Sequence, residues 1–266
     1  MVDLYTVENL SLSLPDLTCK PLLGAAPRIQ ILKDMSFSIP KGAILGIVGG
    51  SGSGKSTLGR ALIRLLEPTG GSITFDGQDI THLIEIGLRP LRRRFQMIFQ
   101  DPMSSLNPRH RVAQIIAGPL ALHGVADVKQ RSLEALDQVG LPRAFASRYP
   151  HELSGGQRQR IGIARAIALR PEFILADEIV SGLDVSSQAQ VLTLLAELVR
   201  DLGLTLAFIS HDLSVIRRLC SRVLVLHQGV IVENADVAAV FETPQADYTR
   251  ALLDAIPLPD PDQVWR

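Results

Sequence analysis

The sequence predicts an α/β fold built on a mostly parallel β-sheet, and three short apolar segments carry this prediction. Residues 43–48 are a continuous apolar run that ends in glycines, which is typical of a strand buried on both faces. Residues 173–176 and 205–209 have the same character, and residues 187–202 between them repeat leucine and valine at helical spacing. Strands that alternate with helices favour a parallel sheet with crossover helices.

The other elements follow in chain order. Apolar and polar residues alternate over residues 7–14, which predicts a half-buried strand, and residues 29–39 return to this pattern after a proline-rich loop. A helix is predicted at residues 58–66 and a strand at residues 72–75, followed by an Asp-Gly hairpin turn at residues 76–77. Further helical patterns cover residues 112–141 and 157–169, and Gly203 is expected to end the helix at 187–202 in a left-handed conformation.

The composition is that of a folded protein whose charges balance. Of 266 residues, 46% are hydrophobic and 20% are charged, which excludes the polar, highly charged composition of disordered chains. Lysine and arginine together number 27, as do aspartate and glutamate, so no overall charge favours nucleic acid as a partner. One basic run is interpreted as a solvated helix face, with a phosphate-binding cluster as the alternative: Arg89, Arg92, Arg93 and Arg94.

The cysteines and the N-terminus indicate an intracellular protein. Cys19 and Cys220 have neither the spacing of a metal site nor the density of a disulfide scaffold, so both are interpreted as structural thiols. Residues 1–10 lack the pattern of a signal peptide, and no apolar run approaches the roughly 18 residues of a membrane span. We expect a cytoplasmic protein that meets a membrane only through partners.

A glycine-rich segment at residues 49–57 matches the nucleotide-binding P-loop, G-x-x-x-x-G-K-[ST], between a predicted strand and a predicted helix. Glycines allow successive backbone N–H groups to point at phosphates, and the helix N-terminus adds its positive end. We expect Lys55 to reach the β and γ phosphates of ATP and the Ser56 hydroxyl to hold Mg²⁺. An ordinary glycine-rich turn is the alternative. The segment comprises Gly49, Gly50, Ser51, Gly52, Ser53, Gly54, Lys55, Ser56 and Thr57.

Two adjacent carboxylates, Asp177 and Glu178, follow the predicted strand at residues 173–176. Parallel strands open their ligand crevice at their carboxyl ends, so these side chains are expected beside the phosphates. Asp177 is then placed to bind Mg²⁺, directly or through water, and Glu178 to accept a proton from the attacking water. A helix cap is the alternative interpretation of the pair.

A second glycine turn, Leu-Ser-Gly-Gly-Gln at residues 153–157, opens another predicted helix and offers a second anion-binding terminus. This pentapeptide resembles the signature motif of the ABC ATPases, in which the nucleotide lies between the P-loop of one subunit and the signature of another. The resemblance implies an ATPase that works as a dimer. It also implies that the nucleotide is contacted by Ser154, Gly155, Gly156 and Gln157.

Three further residues match the family in order and spacing. By resemblance, Gln100 contacts Mg²⁺ or the attacking water, Asp184 communicates across the dimer, and His211 contacts the γ-phosphate. The alternatives are a helix cap for Asp184, a structural histidine, and a glutamine that merely follows a strand. The catalytic set that the resemblance implies thus consists of Lys55, Gln100, Glu178 and His211.

The resemblance also implies an architecture. It consists of a P-loop NTPase core with a mostly parallel sheet, an N-terminal antiparallel β subdomain and an inserted α-helical subdomain. Residues 1–266 form a single ABC ATPase domain, whose nucleotide-binding core with the β subdomain covers residues 1–100 and 158–240. The helical subdomain covers residues 101–157, and a C-terminal tail covers residues 241–266.

Residues 100–109 and 243–253 resemble the peptide and nickel import group of this family. The resemblance implies the ATP-binding and ATP-hydrolysing subunit of an importer of peptides, nickel or related small solutes. Its partners would be two membrane-spanning permease subunits, an identical or sister ATPase subunit and, indirectly, a solute-binding protein, with no nucleic acid. Its location would be peripheral, on the cytoplasmic side of the inner membrane. A cytosolic ABC ATPase without a membrane partner and a non-catalytic subunit are the alternatives.

The sequence departs from the family at three positions. Leu14 stands where an aromatic residue usually stacks on adenine, Ile179 where proline is common, and Gly182 where alanine is common. Longer members carry a C-terminal cysteine-rich extension that holds an iron–sulfur cluster. This chain has no such cysteines, so we expect no cluster.

Overall fold

The computed structural model describes residues 2–16, 24 and 26–255, so Cys19 lies outside the described residues. Within them the strands are β1 (Asp3–Pro15), β2 (Arg28–Pro40), β3 (Ile44–Gly49), β4 (Gly70–Phe75), β5 (Gln78–Asp79), β6 (Phe95–Ile98), β7 (Phe173–Asp177), β8 (Thr205–Ile209), β9 (Arg222–His227) and β10 (Val230–Asp236). The α-helices are α1 (Lys55–Leu62), α2 (Glu85–Leu88), α3 (Pro102–Ser105), α4 (Val112–Leu122), α5 (Val128–Gln138), α6 (Gly155–Ile167), α7 (Val185–Leu202), α8 (Leu213–Leu219), α9 (Val237–Glu242) and α10 (Asp247–Asp254).

The first sheet is antiparallel and has the strand order β2-β1-β4-β5. Its strands β1 and β2 follow the alternation of the sequence, with apolar side chains such as Leu10 and Leu32 buried on one face. The predicted hairpin between β4 and β5 is confirmed, because Asp76 and Gly77 have φ values of 50° and 77°. Positive φ at both central residues is the condition for a tight hairpin turn.

The second sheet has the strand order β10-β9-β3-β8-β7-β6. All its neighbouring strands run parallel except β9 and β10, which are antiparallel. Every residue of β7 and of β8 is buried, as their continuous apolar sequences predict. The α/β prediction with a mostly parallel sheet and an antiparallel N-terminal sheet is therefore confirmed. The carboxyl ends of β3, β6, β7 and β8 lie at the same edge of this sheet.

Capping residues set the beginnings of two important helices. The helix predicted from residue 157 begins at Gly155, because the Ser154 side chain accepts a hydrogen bond from the backbone of Gln157. In the same way Asp184 caps α7, which begins two residues before the prediction. Gly203 ends α7 with a φ of 65°, so the predicted left-handed cap is confirmed.

The interpretation of the basic run as a solvated helix face is wrong for half of it. Arg89 and Arg93 are exposed, but Arg92 donates hydrogen bonds to two backbone carbonyls that follow α1. Arg94 pairs with Glu172 at 2.5 Å and covers an aromatic ring of the core. The run crosses from a short helix into β6, so its side chains point in several directions and two of them hold neighbouring elements together.

None of the helices in the described part of the chain combines the length and the hydropathy needed to cross a membrane.

Candidate nucleotide-binding site

The P-loop connects β3 to α1, and its backbone requires glycine at both ends. Gly49 has a φ of 149°, and a Cβ atom there would lie 2.2 Å from the carbonyl oxygen of Leu226. Gly54 immediately precedes α1 with a φ of 102°, a conformation that side-chain-bearing residues rarely adopt. The loop therefore reaches its curvature only with glycine at these positions, and its N–H groups lead into the N-terminus of α1.

Lys55 lies at the centre of the loop and is 8% exposed. Its Nζ donates hydrogen bonds to the carbonyl oxygens of Gly49 at 2.8 Å and Gly50 at 2.9 Å. Burial lowers the pKa of this ammonium group, and the nearby carboxylates of Glu178 and Asp177 oppose that shift. A cation in a partly dry loop is suited to bind a polyphosphate.

Asp177 lies at the end of β7, opposite the first turn of α1. Its Oδ1 accepts a hydrogen bond of 3.0 Å from the Ser56 hydroxyl, and the residue is 4% exposed. Burial raises the pKa of the Asp177 carboxyl, and the hydrogen bond from Ser56 partly offsets this shift. A carboxylate and a hydroxyl that share one hydrogen bond are the oxygen ligands that Mg²⁺ takes beside a phosphate. The residues present therefore suit such an ion.

Glu178, which follows β7, contacts residues that follow the two neighbouring strands β6 and β8. Its Oε2 accepts a hydrogen bond of 3.1 Å from Nε2 of Gln100, which follows β6. Its Oε1 lies 3.6 Å from Nδ1 of His211, which follows β8. The Glu178 backbone has a φ of 49°, and its N–H donates to the carbonyl of Ile209 at 3.0 Å. The structure thus brings the three predicted residues together, in a conformation that the sequence does not reveal.

An open cavity of about 530 Å³ lies over these groups. Its volume is in the range of small-molecule sites. Sequence reasoning missed Ile31, an apolar residue of β2 that lines it; only the packing of the two sheets places Ile31 there. Leu14, the position where the family has an aromatic residue, is partly buried and does not line this cavity. The lining residues are Ile31, Ser51, Gly52, Gly54, Lys55, Ser56, Thr57, Glu178 and His211.

The signature segment lies at the N-terminus of α6. Ser154 and Gln157 form a reciprocal capping box: the Ser154 Oγ accepts from the Gln157 N–H at 3.3 Å, and the Gln157 Oε1 accepts from the Ser154 N–H at 3.0 Å. Ser154, Gly156 and Gln157 line a cavity of about 390 Å³ that shares no lining residue with the P-loop cavity. Within one chain, the signature and the P-loop thus face different cavities.

Asp184 acts as a helix cap in the single chain. Its carboxylate accepts hydrogen bonds from the backbone N–H and the hydroxyl of Ser187 at 2.9 and 2.7 Å. These bonds, the hydroxyl first, lower the pKa of the Asp184 carboxyl. A Cβ atom on Gly156 would lie 3.2 Å from the Ser187 hydroxyl oxygen, so the start of α7 packs closely on the signature.

Comparisons with known proteins agree with this geometry. Residues 32–181 match the family described as ABC transporter. A protein of Brucella ovis named as a putative peptide import ATP-binding protein is 53% identical over 237 residues, covering 88% of this chain and 75% of the relative. The oligopeptide transport ATP-binding protein OppF of Bacillus subtilis is 52% identical over 239 residues, covering 88% of this chain and 78% of OppF.

Two solved structures share the fold. The dimeric, post-hydrolysis ATP-binding cassette MJ0796 bound to ADP and Pi has a TM-score of 0.75 at 29% identity, covering 88% of this chain and 98% of that chain. The cbiO1 protein of Clostridium perfringens, part of the ABC transporter complex cbiONQ, has a TM-score of 0.78 at 27% identity, covering 91% of this chain and 92% of that chain. The chain therefore belongs to the ABC transporter family, as an ATP-binding and ATP-hydrolysing subunit.

Proposed function

We propose that this chain energises an importer of peptides or related small solutes by binding and hydrolysing ATP. The main observation in favour of hydrolysis is that Lys55, Ser56 and Glu178 line one cavity. Asp177 is joined to this group by the hydrogen bond that it accepts from Ser56. The names of the Brucella and Bacillus relatives favour peptides over nickel among the solutes that the sequence resemblance implies.

In this proposal each group at the cavity has a separate task. Lys55 binds the β and γ phosphates, and the P-loop N–H groups surround them. Ser56, Asp177 and Gln100 would hold Mg²⁺, which when bound would neutralise negative charge on the phosphates. Glu178 accepts the proton of the attacking water, held in orientation by its hydrogen bond from Gln100.

His211 belongs to the same proposed set. Its side chain is 65% exposed at the cavity wall, where it contacts Glu178. We propose that His211 donates a hydrogen bond to this phosphate.

The site is completed by a second ATPase subunit, identical or a sister. We propose that the turn at Ser154, Gly155, Gly156 and Gln157 contacts the nucleotide held by the neighbour, and that Asp184 communicates across this interface. This proposal is supported by the separation of the two cavities in one chain. Each chain would then contribute a P-loop to one nucleotide site and a signature to another. Closure of the two chains around ATP then provides the motion that drives transport.

The remaining partners follow from the same proposal. Two membrane-spanning permease subunits receive the motion, a solute-binding protein delivers the cargo, and this chain sits peripherally on the cytoplasmic side of the inner membrane. Residues 101–157 are proposed as the helical subdomain between core segments 1–100 and 158–240, with residues 241–266 as the tail.

Affinity purification of the tagged chain from detergent-solubilised membranes tests the proposal. We expect permease subunits to copurify, and the complex in proteoliposomes to take up a labelled peptide only when ATP is supplied on the side of this chain. Uptake of nickel in place of peptide would revise the cargo. Recovery of nucleic acid without any membrane subunit would contradict the proposal.

A further inference from the structure

The C-terminal helix α10 contacts the P-loop through one side chain. The Tyr248 Oη accepts a hydrogen bond of 2.9 Å from the backbone N–H of Gly50. The Tyr248 ring packs against His227, the last residue of β9, with ring centroids 3.9 Å apart and planes tilted by 35°. Tyr248 belongs to the stretch 243–253, whose sequence resembles the peptide and nickel import group but which has no role in the proposed hydrolysis.

The peptide group between Gly49 and Gly50 contacts both Tyr248 and the P-loop lysine, Lys55. The carbonyl of Gly49 and the N–H of Gly50 belong to one peptide unit, and no cis peptide bond is present in the described chain. In a trans peptide these two groups point in opposite directions. Lys55 Nζ donates to that carbonyl at 2.8 Å while the Tyr248 hydroxyl accepts from that N–H, so the peptide is held from both sides.

The position of Tyr248 is fixed by a buried carboxylate. Glu233 on β10 is 8% exposed, and its two oxygens accept hydrogen bonds from the backbone N–H groups of Gln245 and Ala246 at 3.0 and 3.2 Å. Burial alone would raise the pKa of Glu233, but these backbone groups and the nearby Thr249 hydroxyl together hold it below its ordinary value. The start of α10 is therefore anchored to the sheet by an ionised group.

A second contact supports the loop from the same side. Gly229, in the turn between β9 and β10, donates its N–H to the carbonyl of Ser53 at 3.2 Å. The strands that carry His227 and Glu233 thus also support the P-loop directly. Tyr248 adds to this support at one of the two peptide groups whose carbonyls accept hydrogen bonds from Lys55.

We propose that Tyr248 is a positioning residue for nucleotide binding. Its hydroxyl fixes the Gly49–Gly50 peptide, and this peptide in turn fixes the ammonium group of Lys55 at the phosphate site. The inference rests on the proposed function, because it assumes that ATP binds at this P-loop. It assigns to the C-terminal segment a direct influence on ATP affinity.

The test is Tyr248→Phe in the full chain, which keeps the ring against His227 and removes only the hydroxyl. We expect binding of Mg·ATP and Mg·ADP to weaken roughly 3- to 10-fold, the usual worth of one hydrogen bond. Exchange of the Gly50 amide hydrogen should become faster, and the thermal midpoint should fall by at most a few degrees, the effect of one lost hydrogen bond. Tyr149→Phe is the matched control, because Tyr149 also stacks on a histidine, His151, and makes no contact with the P-loop.

Steady-state ATPase assays of the complex with its membrane subunits separate positioning from a structural defect. A positioning role raises KM for ATP and leaves kcat within about twofold, whereas partial unfolding lowers apparent kcat at constant KM. Unchanged affinity and unchanged Gly50 exchange in Tyr248→Phe would overturn the inference and leave the proposed function intact. Failure of the wild-type chain to bind Mg·ATP would contradict the proposed function itself.

Discussion

Glu178 combines an unusual backbone with a central place in the site. Its φ of 49° lies in the left-handed region, which costs a residue other than glycine on the order of 1 kcal/mol or more. The neighbouring strand maintains this conformation through the hydrogen bond from the Glu178 N–H to Ile209. The result is a carboxylate directed at both Gln100 and His211, which suits the proposed role of Glu178 as the base.

We expect Glu178→Gln to reduce ATP hydrolysis by roughly 10²- to 10⁴-fold, the contribution of a general base. ATP affinity should change little, because the substitution preserves side-chain size and leaves the P-loop intact. Turnover by the assembled complex and nucleotide titration measure the two effects. Glu197→Gln, on the exposed side of α7, is the control and should retain full turnover. Wild-type turnover in Glu178→Gln would remove Glu178 from the role of base.

The buried carboxylate of Asp177 lowers the stability of the folded chain at neutral pH. Burial raises the pKa of this carboxyl in the folded chain above its unfolded value of about 3.9. Between the two pKa values the folded state binds more protons, so stability falls as pH rises through that window, and the full cost remains above it. Asp177→Asn removes the charge and keeps an oxygen for the Ser56 hydroxyl.

Thermal unfolding of Asp177→Asn at several pH values tests this expectation. At neutral pH the variant should melt a few degrees above the wild type, and the difference should shrink as pH falls towards 4. Hydrolysis should be lost at the same time, because the proposed Mg²⁺ site loses its anionic ligand. A lower melting temperature at neutral pH would show that the carboxylate stabilises the fold.

At the scale of elements, Ser154 at the N-terminus of α6 has two roles that can be tested separately. Ser154 caps the helix and also exposes its hydroxyl at the signature. Threonine and aspartate both serve as N-caps, but only aspartate adds a negative charge. We therefore expect Ser154→Asp to keep the stability of the chain and to abolish ATP hydrolysis in the assembled complex, through repulsion of the neighbour's γ-phosphate.

Ser154→Thr is the paired variant and should retain both the stability of the chain and ATP hydrolysis. Calorimetry measures the stability of the two variants, and phosphate release measures their activity. Full activity in Ser154→Asp would mean that no phosphate approaches this turn. Equal loss of stability in both variants would instead locate the defect in the capping of α6.

The elements also show what the sequence specified and what it did not. Strands β3, β7 and β8 were predictable, because a strand buried on both faces has a continuous apolar sequence. Strands β9 and β10 were not predicted; β10 mixes buried and exposed residues without regular alternation. The start of α6 was placed two residues late, because paired glycines disfavour a helix while the capping box overrides that preference.

At the scale of the molecule, the site depends on topology more than on any local motif. The P-loop and the acidic pair could be predicted because the residues that form each motif are adjacent in the sequence. The contribution of Ile31 and of the Tyr248 hydroxyl depends on contacts between segments far apart in sequence, which a single sequence does not encode in a local pattern. Topology also separates the P-loop from the signature, so a complete site would need both halves from two different chains.

Mixing two inactive chains tests whether each site is shared between copies. Lys55→Ala inactivates the P-loop that a chain contributes to a shared site, and Ser154→Asp inactivates the signature that it contributes. Each variant alone should therefore fail to form an ATP-dependent dimer. A mixed dimer regains one intact site of its two, so the mixture restores roughly a half of the wild-type sites if only mixed dimers form and roughly a quarter if pairing is random. Glu178→Gln copies with ATP, followed by light scattering, provide the positive control. Recovery of dimer and of phosphate release in the mixture, and in neither variant alone, is the expected result. If Glu178→Gln copies dimerise with ATP but the mixture neither dimerises nor releases phosphate, the sharing of a site between copies is contradicted.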